Sequence, residues 1–185
     1  MDHHVQSPEP WVTRFAPLVQ ARGTVLDLAC GAGRHGRHFI ARGHPLVALD
    51  REVGELADLR ERPDVEIVAA DVEGGPWPLG GRTFAGIVVV NYLHRPLLPM
   101  LAASLASDGV LIYQTFGLGN ERFGRPSNPD FLLKPNELLD AFAARLTVVA
   151  YEAGEVTQPR PAVVQRLCAI NRPTVIPPLV PAQPQ

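Results

Sequence analysis

The chain has 185 residues, 46% apolar and 19% charged, with a formal net charge of −2 at pH 7. That length suits one domain with a sizeable core, the composition is that of a soluble globular protein, and the charge gives no electrostatic pull toward nucleic acid or an anionic membrane. The two cysteines, Cys30 and Cys168, are far apart and form neither a metal-ligand pattern nor a disulfide framework, so a reduced, cytoplasmic setting is the default.

The first ten residues lack a basic region followed by an apolar core, so no signal peptide is read there, and His3 and His4 read as terminal disorder. No apolar run approaches the length of a membrane span. Residues 10–20 place Trp11, Phe15, Leu18 and Val19 at helical spacing, with Pro10 suited to a first turn and Pro17 set to end or kink the helix. Residues 24–29 read as a strand. Residues 34–42 read as a helix stopped by Gly43, and 45–50 as a second strand ending on Asp50. A helix over 54–62 is ended by Pro63, and 65–70 is a third strand closing on Asp71. After a turn-rich stretch carrying Trp77, residues 84–90 have the continuous apolar character of a strand buried on both faces. A helix follows over 97–106 and a fifth strand over 110–116.

Residues 117–135 form a long loop rich in Gly, Asn and Pro. Residues 136–144 read as a helix with Asn136 as N-cap. Two strands close the order, over 146–151 and 162–170. The connection over 154–161 is too short for a crossover helix, so this pair forms an antiparallel hairpin. One domain over 1–172 and a proline-rich, extended or disordered tail over 173–185 are expected. The fold class is α/β: a doubly wound, mostly parallel seven-stranded sheet with a C-terminal antiparallel hairpin.

In such a sheet ligands sit at the carboxyl ends of the strands, near the point where strand order reverses. The residues there are Gly31 and Gly33 in a strand-to-helix turn, Asp50, Asp71 and the run from Asn91 to His94. The glycines could serve only a tight turn, but their place after a strand and before a helix marks a cofactor turn. Asp50, seventeen residues past Gly33, is in phase with that turn as a ribose acceptor. Cys30 reads as a packing residue, and His35 and His38 as solvent-facing or packing. His94 reads equally as structural or as an active-site group. No metal site is read.

The segment VLDLACGAG over 25–33 resembles the first motif of the class I S-adenosylmethionine-dependent methyltransferases, with Asp27 four positions before Gly31. Asp50 matches that family's second-strand acid, and Ala70-Asp71-Val72 resembles its third-strand motif. Asn91-Tyr92-Leu93-His94 sits where the family has its post-strand-four motif. The resemblance spans residues 10–170, and the runs NYLHRP and GNERFGRPSNPD look like small bacterial stand-alone members. It implies S-adenosylmethionine as cofactor and a Rossmann-like methyltransferase fold. Gly31 and Gly33 would admit the cofactor's methionine and ribose portion. Asp27 would steady the turn or meet the cofactor's amino group. Asp50 would accept both ribose hydroxyls, Asp71 the adenine amino group with the Val72 amide facing the ring, and Asn91 would lie near the methionine end. Arg14 or Arg34 would meet the cofactor's carboxylate. Tyr92 and His94 would touch the acceptor, with His94 as base, and Glu121, Arg122, Phe123 and Asn128 would form a lid.

The post-strand-four run departs from the Pro-Pro-aromatic form of enzymes that methylate exocyclic amines of nucleobases. With the acidic balance, that argues against DNA. RNA stays open, and a small-molecule acceptor is the first choice. Two other classes remain: a nicotinamide-dependent oxidoreductase, against which Asp27 and the terminal hairpin count, and a non-catalytic protein that holds the cofactor as a sensor or partner subunit.

Overall fold

The computed structural model describes residues 7–172; the proline-rich tail over 173–185 and the His3–His4 pair lie outside the described residues. The strands are β1 (Val25–Leu28), β2 (Leu46–Asp50), β3 (Val65–Ala69), β4 (Phe84–Val90), β5 (Leu105–Phe116), β6 (Thr147–Val156) and β7 (Ala162–Ile170). The α-helices are α1 (Pro10–Phe15), α2 (Arg34–Ala41), α3 (Leu98–Ala103) and α4 (Glu137–Ala143). No helix of the described residues is long and apolar enough to cross a membrane.

The seven strands form one sheet in the order β3-β2-β1-β4-β5-β7-β6. Pairing is parallel from β3 to β5, and β7 is antiparallel to both β5 and β6. The chain winds outward from β1 through β2 to β3, then restarts at β4 on the other side of β1, so order reverses between β1 and β4. Alternation along each central strand divides the core into two faces. Leu26, Leu28, Ile87, Val89, Leu111 and Tyr113 pack on one face against Leu98 and Leu101 of α3 and Leu138 and Phe142 of α4. Val25, Val88, Val110 and Ile112 pack on the other, against Trp11, Val12 and Phe15 of α1 and Phe39 of α2. The expected doubly wound sheet with its closing antiparallel pair is therefore the observed one.

Four local expectations need correction. The helix read over 54–62 is a 3-10 helix that stops at Leu59. The helix read over 97–106 is a 3-10 turn over Arg95–Leu97 followed by α3, and Leu105 already pairs with Phe84 as the start of β5. A register shift separates that pair from Gly86–Val110. Asn171 stabilises the offset, its Nδ2 donating to the carbonyls of Leu105 and Ala106 at 3.0 Å each. The hairpin connection is also shorter than read, since β6 runs on through Val156. Finally, Asn136 takes a left-handed φ of 62° and makes no side-chain cap. The Leu138 amide donates instead to Oε1 of Gln165 on β7 at 3.1 Å, a cap supplied from across the sheet.

Candidate functional site

β1 is followed by Ala29 with φ +52°, and the chain turns through Gly31 (φ +52°) and Gly33 (φ +73°) into α2. A Cβ on Gly31 would meet no atom within 4 Å, so the space over the turn is open. One on Gly33 would lie 2.6 Å from the Leu56 side chain, so the turn packs closely beneath. Asp27, 1% exposed, sits under this turn, and its Oδ2 accepts from the Gly36 amide at 2.7 Å. It thus holds the first turn of α2 to β1, where the positive end of the helix favours a carboxylate. Burial pushes its pKa up to about 7, opposed by the Gly36 hydrogen bond and by Arg34.

Asp50, at the end of β2, is fixed through both oxygens. Oδ2 accepts from the Gly31 amide at 2.8 Å and Oδ1 from the Glu52 amide at 3.0 Å. Each carboxylate oxygen has two lone pairs, so each can still accept one more hydrogen bond. Asp71 repeats the device: its Oδ1 accepts from the Glu73 amide at 2.9 Å. Beyond β4 the chain reverses at Asn91, with φ +58°. The Asn91 amide donates to the Gln114 carbonyl at 2.9 Å, and the Tyr113 hydroxyl donates to the Tyr92 carbonyl at 2.9 Å, pinning this turn to β5.

These strand ends enclose one cavity of about 500 Å³. Asp50, Asp71, Val72, Asn91 and Tyr92 all line it, together with Ala29, Leu49, Arg51, Ala70 and Leu93. Sequence reasoning missed the other walls: Glu73 after β3, Thr115 and Phe116 at the end of β5, and Pro126 and Phe131 from the long loop. For Pro126 and Phe131 the sequence signal is the loop's position after β5. The Tyr92 hydroxyl donates to Oε1 of Glu73 at 3.0 Å, and burial with this carboxylate pushes the phenol pKa up.

Several expected residues lie elsewhere. Asp27, Gly31 and Gly33 are not among the residues that line the cavity, and His94 is half-buried and absent from its wall. Arg14 pairs with Glu152 at 3.2 Å and lies over the rings of Trp11 and Phe15; Arg34 pairs with Glu9 at 3.0 Å. Of the residues read as a lid, Glu121 accepts from the Gly119 amide, Arg122 pairs with Glu155, and Phe123 is exposed. Asn128 lines only a shallow neighbouring pocket, and its Oδ1 accepts from the Asp130 amide at 3.0 Å. His35 is buried against α2's surroundings with its pKa lowered to about 3, chiefly by desolvation. Cys30 is buried, and desolvation raises its pKa, so it packs rather than reacts. Among the described residues no group of three or more His, Cys, Asp or Glu side chains is placed to hold a metal ion.

No family model and no curated protein matches the sequence. Solved structures do match the fold. TehB from Haemophilus influenzae is 16% identical with a TM-score of 0.72, over 89% of this chain and 62% of that one, so the chain spans less than two thirds of that protein's length. The 1,6-didemethyltoxoflavin-N1-methyltransferase of Burkholderia thailandensis, solved with 1,6-didemethyltoxoflavin and S-adenosylhomocysteine bound, is 23% identical with a TM-score of 0.67, over 93% of this chain and 80% of that one. The N-methyltransferase NodS of Bradyrhizobium japonicum in complex with S-adenosylhomocysteine is 17% identical with a TM-score of 0.64, over 86% and 85%. What these likenesses show is a shared fold.

Proposed function

We propose that this chain, which has the fold of the class I S-adenosylmethionine-dependent methyltransferases, is itself such an enzyme and acts on a small-molecule acceptor. The observation that carries the reading is Asp50. Two backbone amides hold its carboxylate at the carboxyl edge of the sheet, and its remaining lone pairs are available to a ribose diol. Asp71 and Val72 follow on the same wall and fit an adenine edge, the former accepting through its oxygens and the latter offering its amide and an apolar face. The open space over Gly31 lets a ligand approach the backbone there. Carboxylates of Asp50, Asp71 and Glu73 in one cavity also suit a cationic ligand.

S-adenosylmethionine, when bound, supplies a methyl group on a sulfonium with a good leaving group. The protein's own share is then alignment and exclusion of water. Asp27 keeps the turn and α2 in register, Asn91 and Tyr92 form the wall between β1 and β5, and Phe116, Pro126 and Phe131 close the far side with apolar surface. Tyr92, its proton held by Glu73, serves as a hydrogen-bond donor. The cavity's volume, near 500 Å³, falls in the range of small-molecule sites and supports an acceptor of that size. The strand order supports the hairpin argument against the nicotinamide reading: an antiparallel β7 stands between β5 and β6, where a dinucleotide-binding sheet continues in parallel.

Calorimetric titration with S-adenosylmethionine, S-adenosylhomocysteine and NAD tests the reading. Binding of the first two alone is expected. Binding of NAD alone, or of none, overturns it.

A further inference from the structure

The cavity has a charged end and an aromatic end, and the second has its own construction. Phe131 is 48% exposed at its mouth, an unusual place for a large apolar ring. Its backbone is nevertheless held on both sides by one arginine. Arg95 donates through Nη1 to the Asp130 carbonyl at 2.6 Å and through Nη2 to the Leu132 carbonyl at 2.9 Å. Arg95 is itself fixed by a two-pronged pair with Glu137, at 2.6 and 3.0 Å. Asn120, 2% exposed, ties the same loop down by donating to the Pro126 carbonyl and accepting from the Val163 amide. The ring is therefore pre-positioned and solvent-facing at once, which is the property of a stacking platform. Phe116 and Pro126 supply the adjoining apolar wall.

We propose that this end is an acceptor subsite for a flat, uncharged heteroaromatic ring that offers a ring nitrogen; the assignment rests on the methyltransferase reading above. Charge selects against an anionic ring. The cavity carries the carboxylates of Asp50, Asp71 and Glu73 against one guanidinium, Arg51, which faces Glu52 at 3.9 Å. Chemistry selects for nitrogen. A phenolic hydroxyl, with a pKa near 10, must lose its proton to react well. Tyr92 keeps its proton toward Glu73, and among the described residues neither histidine nor cysteine lines the cavity. A ring nitrogen of the pyridine type has a free lone pair at neutral pH and needs no base. That lone pair forms the new nitrogen–carbon bond as the carbon–sulfur bond breaks. Sulfur keeps the electron pair of the broken bond, no proton moves, and the positive charge passes from sulfonium to the methylated ring among the same carboxylates.

Calorimetry on the protein saturated with S-adenosylhomocysteine, with isoquinoline and 2-naphthoate as probes of one shape, separates the outcomes. Isoquinoline is expected to bind at least about tenfold tighter than 2-naphthoate, and Phe131→Ala is expected to weaken isoquinoline at least about tenfold while S-adenosylhomocysteine affinity stays within about twofold. With S-adenosylmethionine in place, mass spectrometry is expected to show N-methylisoquinolinium. Equal binding of the two probes, binding of neither, or bound isoquinoline that is never methylated overturns the acceptor class. Failure to bind S-adenosylhomocysteine at all is a different result and removes the proposed function itself.

Discussion

The two ends of the cavity are built by different means. At the β1–β3 end the partners lie nearer in sequence: Asp50 and Asp71 each accept from the amide two residues on, a turn that Asp side chains make readily, and Asp50 accepts also from the Gly31 amide 19 residues back. At the β5 end the wall depends on partners far away in sequence. Arg95 reaches Glu137, 42 residues on, and Asn120 reaches Val163, 43 residues on. A site whose parts are placed by neighbours can be read from spacing; a wall placed by distant partners cannot.

The largest expected effect sharpens the first half of that contrast. Asp27 anchors the short-range end, and burial raises its pKa from 3.8 to about 7. Since the folded value lies above the unfolded one, its contribution to stability is fully present below pH 3.8 and is lost as pH rises through about 7. Asp27→Asn does not titrate and keeps an oxygen for the Gly36 amide. It should therefore gain on the native chain as pH rises from 4 to 8, by at most about 4 kcal/mol, in urea denaturation at stepped pH. A pH-independent difference would show that the α2 N-terminus keeps the carboxylate ionised throughout.

Arg95→Ala attacks the other end. It leaves two carbonyls without their donor and Glu137 with only the Lys134 amide, and the pair is only partly shielded from water, so a loss of about 2–3 kcal/mol in unfolding free energy is expected. S-adenosylhomocysteine affinity should change less than about threefold if the ends are independent. Loss of that affinity in a folded variant would show that they are one unit. Asp50→Ala reverses the test: cofactor affinity should fall by about 1–3 kcal/mol, while isoquinoline affinity for the ligand-free protein should hold. Unchanged cofactor affinity would remove the ribose role.

The same division explains what was legible in the sequence. The sheet was legible because β1, β2 and β4 are mostly apolar runs, and the glycine turn and the Asp50 spacing are local. The end of α3 was not, because Leu105 enters β5 only through the offset that Asn171 satisfies from the far end of β7. The cap of α4 was misread for the same reason: Gln165 reaches it across the sheet, while Asn136 looked sufficient from its neighbours. In the loop over 117–135, polarity drew attention to Glu121, Arg122, Phe123 and Asn128. Those residues serve the loop's own bonds or its surface, and the cavity wall falls to Pro126 and Phe131, which no local pattern distinguishes.

One contact joins the two ends. Glu73 follows β3 and Tyr92 follows β4, and the hydroxyl of one donates to the carboxylate of the other at 3.0 Å. The bond is solvent-exposed, so Tyr92→Phe should cost at most about 1 kcal/mol of stability. Its value lies in the pH profile of methyl transfer. Burial and Glu73 both raise the Tyr92 pKa, so the phenol stays protonated across the working range and acts as a donor. The variant should then keep the shape of the native profile between about pH 7 and 10, where a free phenol begins to ionise, and differ only in height. If the native profile rises toward pH 10 and Tyr92→Phe abolishes that rise, the phenol ionises and works as a base. The two ends would then be coupled through a titrating group, and acceptors with an acidic hydroxyl would replace the ring nitrogen as the fitting class.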